Sequence, residues 1–319
     1  MDPRAAELPL VALVGPTGSG KSELGLEIAG CFNGEIVNCD SIQLYRGFDI
    51  GAAKVPPAGR RGIPHHMIDV ADPTRPFTAG EYAARTRPLL REIAARGRLP
   101  VVVGGTGFYL RALIDGLFSG PGRDDALRRR LEARETRRPG ALHRILRRLD
   151  PRTAGTIHCN DVKKTVSALE VCILARRPIS EMFAEGRDRL SGFRPLKIGL
   201  NPPRAELFER IDRRAEAMFA GGLLDEVREL LDRGVPPSAR PFEALGYRQA
   251  LDHLQGRLTL EEALYHTRQR TRQYAKRQWT WFHHEKEVLW YPTFGDDART
   301  RRAVLEAVGG YVTSFTKKT

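Results

Sequence analysis

The sequence predicts an α/β protein: a parallel sheet wound with helices and interrupted by a mostly helical insertion. Three observations predict it. Over residues 1–110, short, continuously apolar, β-branched runs alternate with helical patterns, as strands buried on both faces do. From Pro121 to Phe193 those runs give way to helical spacing crowded with arginine, in Arg128-Arg129-Arg130, Arg137-Arg138 and Arg147-Arg148. At Leu196–Leu200 strand character resumes, so the core closes after the interruption.

In chain order, Leu10–Val14 is the first strand and a helix follows from Lys21 to Cys31. Ile36–Asn38 is the second strand. A helix from Ala79 to Arg96 is stopped by Gly97 and Pro100, and Val101–Val103 is the third strand. After Leu196–Leu200, Pro203 opens an amphipathic helix running to Gly221. Beyond Gly246 the chain reads as mostly helical. Its long segment from Thr259 to His284 carries Arg268, Arg270, Arg272, Lys276 and Arg277, interleaved with Tyr274, Trp279, Trp281 and Phe282. These aromatics are read as core-facing, and Lys276 and Arg277 as phosphate contacts. Thr316–Thr319 read as a frayed tail. The expected division is a core over 1–120, an insertion over 121–194, and core completion with basic C-terminal helices over 195–319.

The 319 residues carry 52 Lys and Arg against 39 Asp and Glu, a net charge of +13, and 41% are hydrophobic. That apolar fraction supports a sizeable core and excludes a disordered chain. No apolar stretch approaches the roughly 20 residues that cross a bilayer, and the N-terminus lacks a signal-peptide pattern, so no membrane and a cytoplasmic location are expected. The basic excess favours a polyanionic partner. Cys31, Cys39, Cys159 and Cys172 show no metal-ligand spacing and read as reduced thiols. His65-His66 and His283-His284 likewise lack a third ligand at a useful spacing and read as structural.

Gly15-Pro16-Thr17-Gly18-Ser19-Gly20-Lys21-Ser22 fits GxxxxGK[ST] without a mismatch, directly after a strand and opening a helix. That is the context this phosphate-binding motif requires. The glycines let successive backbone N–H groups point into one cavity, Lys21 adds a point charge, Ser22 is the candidate Mg²⁺ ligand, and the helix N-terminus adds its dipole. The fold class is therefore a P-loop NTPase-like parallel sheet core with a mostly helical insertion domain. Whether the bound diphosphate belongs to a nucleotide such as ATP is left open by the motif.

Asp40 follows the second strand, at the carboxyl edge where open α/β sheets bind ligands. It is a candidate general base or Mg²⁺ partner. An isolated aspartate there would read as a turn residue, and its neighbours Ser41, Gln43 and Tyr45 favour a site. Val101–Val103 ends in Gly104-Gly105-Thr106-Gly107, which puts backbone amides and the Thr106 hydroxyl on the same edge, although a helix-initiating turn explains it as well. No later strand ends in a carboxylate as a Walker B strand does. The basic helical half is also more than a small acceptor needs.

Taken together, these residues resemble the bacterial tRNA dimethylallyltransferases, which prenylate N6 of adenine 37, just 3′ of the anticodon. The resemblance covers nearly the whole chain. It rests on Gly15–Ser22, on Asp40-Ser41-Ile42-Gln43-Leu44-Tyr45-Arg46-Gly47 with Asp49-Ile50-Gly51, and on Pro64-His65-His66, Gly104–Gly107, Gly246-Tyr247-Arg248 and Arg272–Trp281. It implies dimethylallyl diphosphate in the P-loop, Mg²⁺, release of diphosphate, an insertion gripping the anticodon stem-loop, and tRNAs that read codons starting with U. By the same resemblance Asp40 is the base and Arg214, ending Arg210-Ile211-Asp212-Arg213-Arg214, is a catalytic diphosphate clamp, the competing reading of Arg214 being a solvated helix charge. It further implies tRNA contacts at Asp40, Ser41, Ile42, Gln43, Thr106, Arg128, Lys163, Lys164, Ser167, Gly246, Tyr247, Arg248, Lys276 and Arg277.

The chain departs from the pattern in two places. Lys163, Lys164 and Ser167 stand where the family stretch NDPRRxxRALE has arginines, removing bidentate phosphate forks, and Ala52 stands where DIGTAK has Thr. A monomer is expected, because an RNA partner accounts for the basic surface. The alternative reading is a P-loop small-molecule kinase, with Asp40 activating a hydroxyl.

Overall fold

The structure, a computed structural model, describes residues 7–118 and 120–316, so the tail expected at Thr316–Thr319 lies outside them from residue 317 on. Six strands form one sheet: β1 (Leu8–Val14), β2 (Gly34–Asn38), β3 (His65–His66), β4 (Leu99–Val103), β5 (Phe193–Leu200) and β6 (Val288–Tyr291). Their order is β3-β2-β4-β1-β5-β6 and every pairing is parallel. Val11 lies opposite Val101 on one side and Leu196 on the other. The last five residues of β1 and all of β2 and β4 are buried, which is why these strands read as unbroken apolar runs.

Because the strands are parallel, β1, β2 and β4 deliver their carboxyl ends to one edge, carrying the Gly15 loop, Asp40 and Gly104 respectively. The helices of the first segment are α1 (Lys21–Cys31), α2 (Ala79–Ala95) and α3 (Gly107–Ile114). Thr78 caps α2 by accepting the Glu81 N–H at 3.1 Å. Leu24, Ile28, Ile36, Val101, Ile198, Val304 and Val308 share one core cluster of this α/β unit.

A second compact unit spans Asp115–Arg189, and the α/β unit comprises the residues before and after it. Its helices are α4 (Asp125–Arg137), α5 (Ala141–Leu149), α6 (Pro151–Ala154), α7 (Val162–Ala175) and α8 (Ile179–Ala184). Leu131, Leu142, Leu146, Val166 and Leu169 form its own core. The unit begins and ends a few residues earlier than the 121–194 span read from the sequence. The reason is backbone pairing: Leu190 N–H reaches Ile114 O at 2.9 Å, and Phe193 and Arg194 already pair with Leu8 and Pro9.

The chain then continues through α9 (Arg204–Ala220), α10 (Leu223–Asp232), α11 (Tyr247–Leu254), α12 (Leu260–His283) and α13 (Ala298–Thr316). A Thr259–Glu262 capping box starts α12. Strand β6, within a stretch that reads as helical, is the one element type the sequence misses there. Among the described residues, no helix is long and apolar enough to cross a membrane.

Candidate active site

At the carboxyl edge of the sheet the α/β unit encloses a cavity of about 950 Å³. Its floor is the P-loop between β1 and α1. Gly15 has φ 142° and a Cβ there would lie 2.7 Å from Leu200 O; Gly20 has φ 86° and a Cβ would lie 2.9 Å from Gly295 N. Both positions therefore require glycine, for backbone conformation and for space. Ser19 is wholly buried, and its carbonyl accepts the Gly295 N–H at 2.8 Å. Lys21 Nζ donates to Pro16 O at 2.6 Å and lies 3.5 Å from Ser19 Oγ. Ser22 lines the cavity from the first turn of α1.

Lys21 and Arg214 meet beside the P-loop. Burial, and then the neighbouring Arg214 guanidinium, push the Lys21 ammonium down to about 7 against the opposing pull of Asp40. Burial likewise lowers the Arg214 pKa, with Asp40 acting the other way. Arg214 comes from α9 and donates to Thr17 Oγ1, a neutral acceptor, so no carboxylate is bonded to it. Both cations thus face the cavity bonded only to neutral oxygens among the described residues.

Asp40 leaves β2 in a turn held by its own carboxylate. Its Oδ1 accepts the N–H groups of Ile42 at 2.8 Å and Gln43 at 3.3 Å. Asn38, itself buried, clamps the same turn: its Oδ1 accepts Asp40 N–H at 3.0 Å and its Nδ2 donates to Met67 O at 2.8 Å. This leaves Asp40 Oδ2 without a hydrogen-bond partner among the described residues and Asp40 on the cavity wall. Ser41, Ile42 and Gln43 line the same wall, where the Gln43 amide donates to Ala52 O at 3.0 Å.

The remaining expected residues are placed differently. Thr106 does not line the cavity; its Oγ1 accepts the Ser41 N–H at 3.0 Å, so it fixes the wall from behind. Gly246 is buried, its N–H held by Gln249 Oε1 at 3.0 Å. Tyr247 is wholly buried, its hydroxyl donating to Glu226 Oε1 at 2.6 Å and accepting Ala52 N–H at 3.2 Å. Tyr247 holds the 49–52 loop, Gly246 is bonded within its own helix start, and only Arg248 of the three is exposed. On α12, Arg277 lines the cavity, whereas the exposed Lys276 sits over the Phe208 ring at 5.6 Å.

Within the helical unit, Arg128 Nη1 pairs with Glu170 at 2.5 Å and its Nη2 donates to Ser167 Oγ at 3.2 Å. Ser167 in turn bonds Lys163 O at 2.9 Å, and Lys164 is exposed and pairs with Asp161 at 3.0 Å. Elsewhere, His66 pairs with Glu35 at 2.6 Å and His283 Nδ1 lies 2.8 Å from Trp279 O. The four cysteines are free thiols. Of the aromatics on α12, Trp279 and Phe282 are buried and Trp281 is half-buried.

Sequence reading missed one face of α12. Thr267, Thr271, Tyr274 and Gln278 recur every three or four residues and all line the cavity. The signal was a polar stripe at helical spacing inside a segment read for its charge. Lys54 was also missed: it is nearly buried and donates to Tyr45 O, Asp49 and Asp69 at 2.7, 2.7 and 2.5 Å.

A P-loop facing a strand-end carboxylate, with a second cation from a distant helix, defines an enzyme that handles a phosphorylated substrate. The profile of the IPP transferase family matches residues 43–285, and the chain belongs to this family. The tRNA dimethylallyltransferase of Solibacter usitatus is 57% identical over 96% of this chain and 99% of that protein. That of Koribacter versatilis is 53% identical over 91% and 94%. Among solved structures, the full-length tRNA isopentenylpyrophosphate transferase of Bacillus halodurans is 37% identical, with a TM-score of 0.71 over 97% of this chain and 98% of that one. A eukaryotic dimethylallyltransferase solved acting on tRNA is 28% identical, with a TM-score of 0.83 over 96% and 80%. This membership goes against the small-molecule kinase reading.

Proposed function

We propose that this chain transfers the dimethylallyl group of dimethylallyl diphosphate to N6 of adenine 37 in tRNAs that read codons starting with U, and releases diphosphate. The observation that carries the reading is that the P-loop, Arg214 and Asp40 line one cavity. In the reaction a bond forms between the prenyl C1 and N6, the C1–O bond to diphosphate breaks, and N6 loses a proton. The adenine amine is a poor nucleophile because its lone pair is delocalised into the ring, so a base that takes its proton as the bond forms is useful. Asp40 fits that part: Oδ1 is anchored by two backbone N–H groups and Oδ2 is available.

Charge builds on the leaving diphosphate as C1–O breaks. Lys21, the Arg214 guanidinium and the P-loop N–H groups are positioned beforehand to stabilise it. The donor set also suits Mg²⁺, which keeps several waters and binds through substrate phosphates and few protein oxygens; Ser22 is the residue that would hold it here. When bound, the ion neutralises leaving-group charge.

The target base must leave its stack, so the anticodon stem-loop has to be gripped. Exposed Lys163, Lys164, Arg248, Lys276 and Arg277 support that role as phosphate contacts. A cytoplasmic monomer fits a chain whose basic surface serves RNA. The test is a transfer assay with Mg²⁺, labelled dimethylallyl diphosphate and unmodified tRNA, run beside free AMP and beside ATP with small acceptors. Label in tRNA that disappears when the adenine 3′ of the anticodon is changed is the expected result. Phosphate transfer from ATP without label in tRNA would sink the reading.

A further inference from the structure

Gln278 lies on the cavity face of α12 and is buried, with 4% of its surface exposed. Its Oε1 accepts the Thr17 N–H at 2.8 Å and its Nε2 donates to Gly105 O at 2.9 Å. One side-chain amide thus joins the P-loop to the turn after β4, two loops that share no other side-chain bridge among the described residues. The other small polar residues of the same helix face are spent inside the helix: Thr267 donates to Ala263 O and Thr271 to Thr267 O. The approach is close: a Cβ at Gly105 would lie 2.2 Å from Gln278 Nε2. Its φ is not in the left-handed region, so a side chain at this position would conflict with the present placing of the amide and not with the backbone conformation.

Resting on the function proposed above, we infer that Gln278 is a positioning residue for prenyl transfer. It fixes Thr17, whose hydroxyl holds Arg214, and thereby sets both the P-loop and the second cation against the leaving diphosphate. The same amide fixes Gly105, next to Thr106, which holds the Ser41 N–H in the Asp40 wall. The leaving-group side and the base side of the reaction are therefore registered through one amide. Both of its polar ends are used, and a buried amide robbed of either partner costs more than the bond itself contributes.

Two variants test this in the full-length protein. Gln278→Met keeps the volume and removes both hydrogen bonds. It is expected to weaken binding of inorganic diphosphate and to lower kcat by about 10- to 100-fold, with tRNA affinity kept within about twofold, from the usual cost of unmade buried bonds. Gln278→Glu carries the sharper readout. A neutral carboxyl can accept from Thr17 N–H and donate to Gly105 O as the amide does, whereas a carboxylate can only accept. Its activity relative to the parent chain should rise as pH falls, while the Met variant stays low at every pH.

A Glu variant whose pH profile parallels the parent's, or a Met variant that binds diphosphate unchanged, overturns the positioning role. The two proposals separate cleanly. A parent chain that binds diphosphate but labels no tRNA sinks the tRNA reading, and the diphosphate affinities still decide on Gln278.

Discussion

Lys21 and Arg214 of the α/β unit and Arg128 of the helical unit use positive charge in opposite ways, although Lys54 and Arg210 on the same cavity are paired with aspartates. In the cavity of the α/β unit, Lys21 and Arg214 are bonded only to neutral oxygens, and Arg213 and Arg277 have no carboxylate partner among the described residues. In the helical unit, the arginine that sequence matching singles out, Arg128, is bonded to Glu170 with both side chains largely buried. That unit carries its unneutralised arginines outside, with Arg129, Arg130, Arg147 and Arg148 all exposed. A cation without a carboxylate inside a cavity awaits an anion, whereas a neutralised one inside a core is scaffold. The partner separates the two roles, and residue type does not.

The largest effect is expected at the proposed base. Asp40→Ala should lower turnover by about 10²–10⁴ with tRNA affinity largely kept, the usual worth of a general base; rapid-quench single-turnover rates decide it, and an unchanged rate removes Asp40 from the mechanism. Next, Arg214→Gln should cost about 10²-fold in kcat, as removal of one preorganised donor does. Equal losses of kcat in Arg214→Gln and Arg128→Gln would erase the distinction between clamp and scaffold.

Arg128→Ala should instead destabilise. Breaking a mostly buried pair costs roughly 2–4 kcal/mol, because Glu170 keeps a buried charge without its main partner. The denaturant midpoint of the helical unit reads this. Replacing both partners by Met should recover most of the loss while diphosphate affinity stays unchanged throughout.

The smallest effect is protonic. Lys21 titrates at about 7 in the folded chain, against about 10.4 in an unfolded one. Between those values the unfolded chain binds more protons, so the Lys21 contribution makes stability rise as pH climbs from about 7 to about 10. Diphosphate raises the folded value again, so binding at pH 8 should take up as much as about one proton. Calorimetry in two buffers of different ionisation enthalpy measures this, and equal heats would show no net proton uptake and overturn the prediction.

Much of the cavity floor was legible in the sequence because its residues are neighbours along the chain. Gly15 to Ser22 is one contiguous motif, and Asp40 follows a strand that reads as a strand. The opposite wall was harder. Gln278 meets Thr17 across 261 positions, and nothing local to α12 announces the partner. Arg128 and Glu170 are 42 positions apart on different helices, so a match to a contact position could not reveal an internal ion pair. Tyr247 reads like a site residue but is held deep by Glu226, a residue no motif includes. Strand β6 escaped notice because its four residues are only partly covered, so their pattern is too short to outweigh the helices around it.

The pairing of β5 with β1 also governs how the protein is made. While residues up to Ile114 are being synthesised, β1 has β4 on one side and nothing on the other, an open apolar edge in the middle of the future sheet. Its second neighbour, Phe193–Leu200, emerges only after the helical unit, and Gly295, which closes the P-loop over Ser19, emerges later still. At about 5–20 residues per second, the stretch from Ile114 to Gly295 takes roughly 10–40 s, and β5 is complete after about half of that. A ribosome that stalls inside the helical unit therefore leaves a nascent chain with a sticky strand and no finished phosphate cradle, so the first half is the part that calls for chaperone cover.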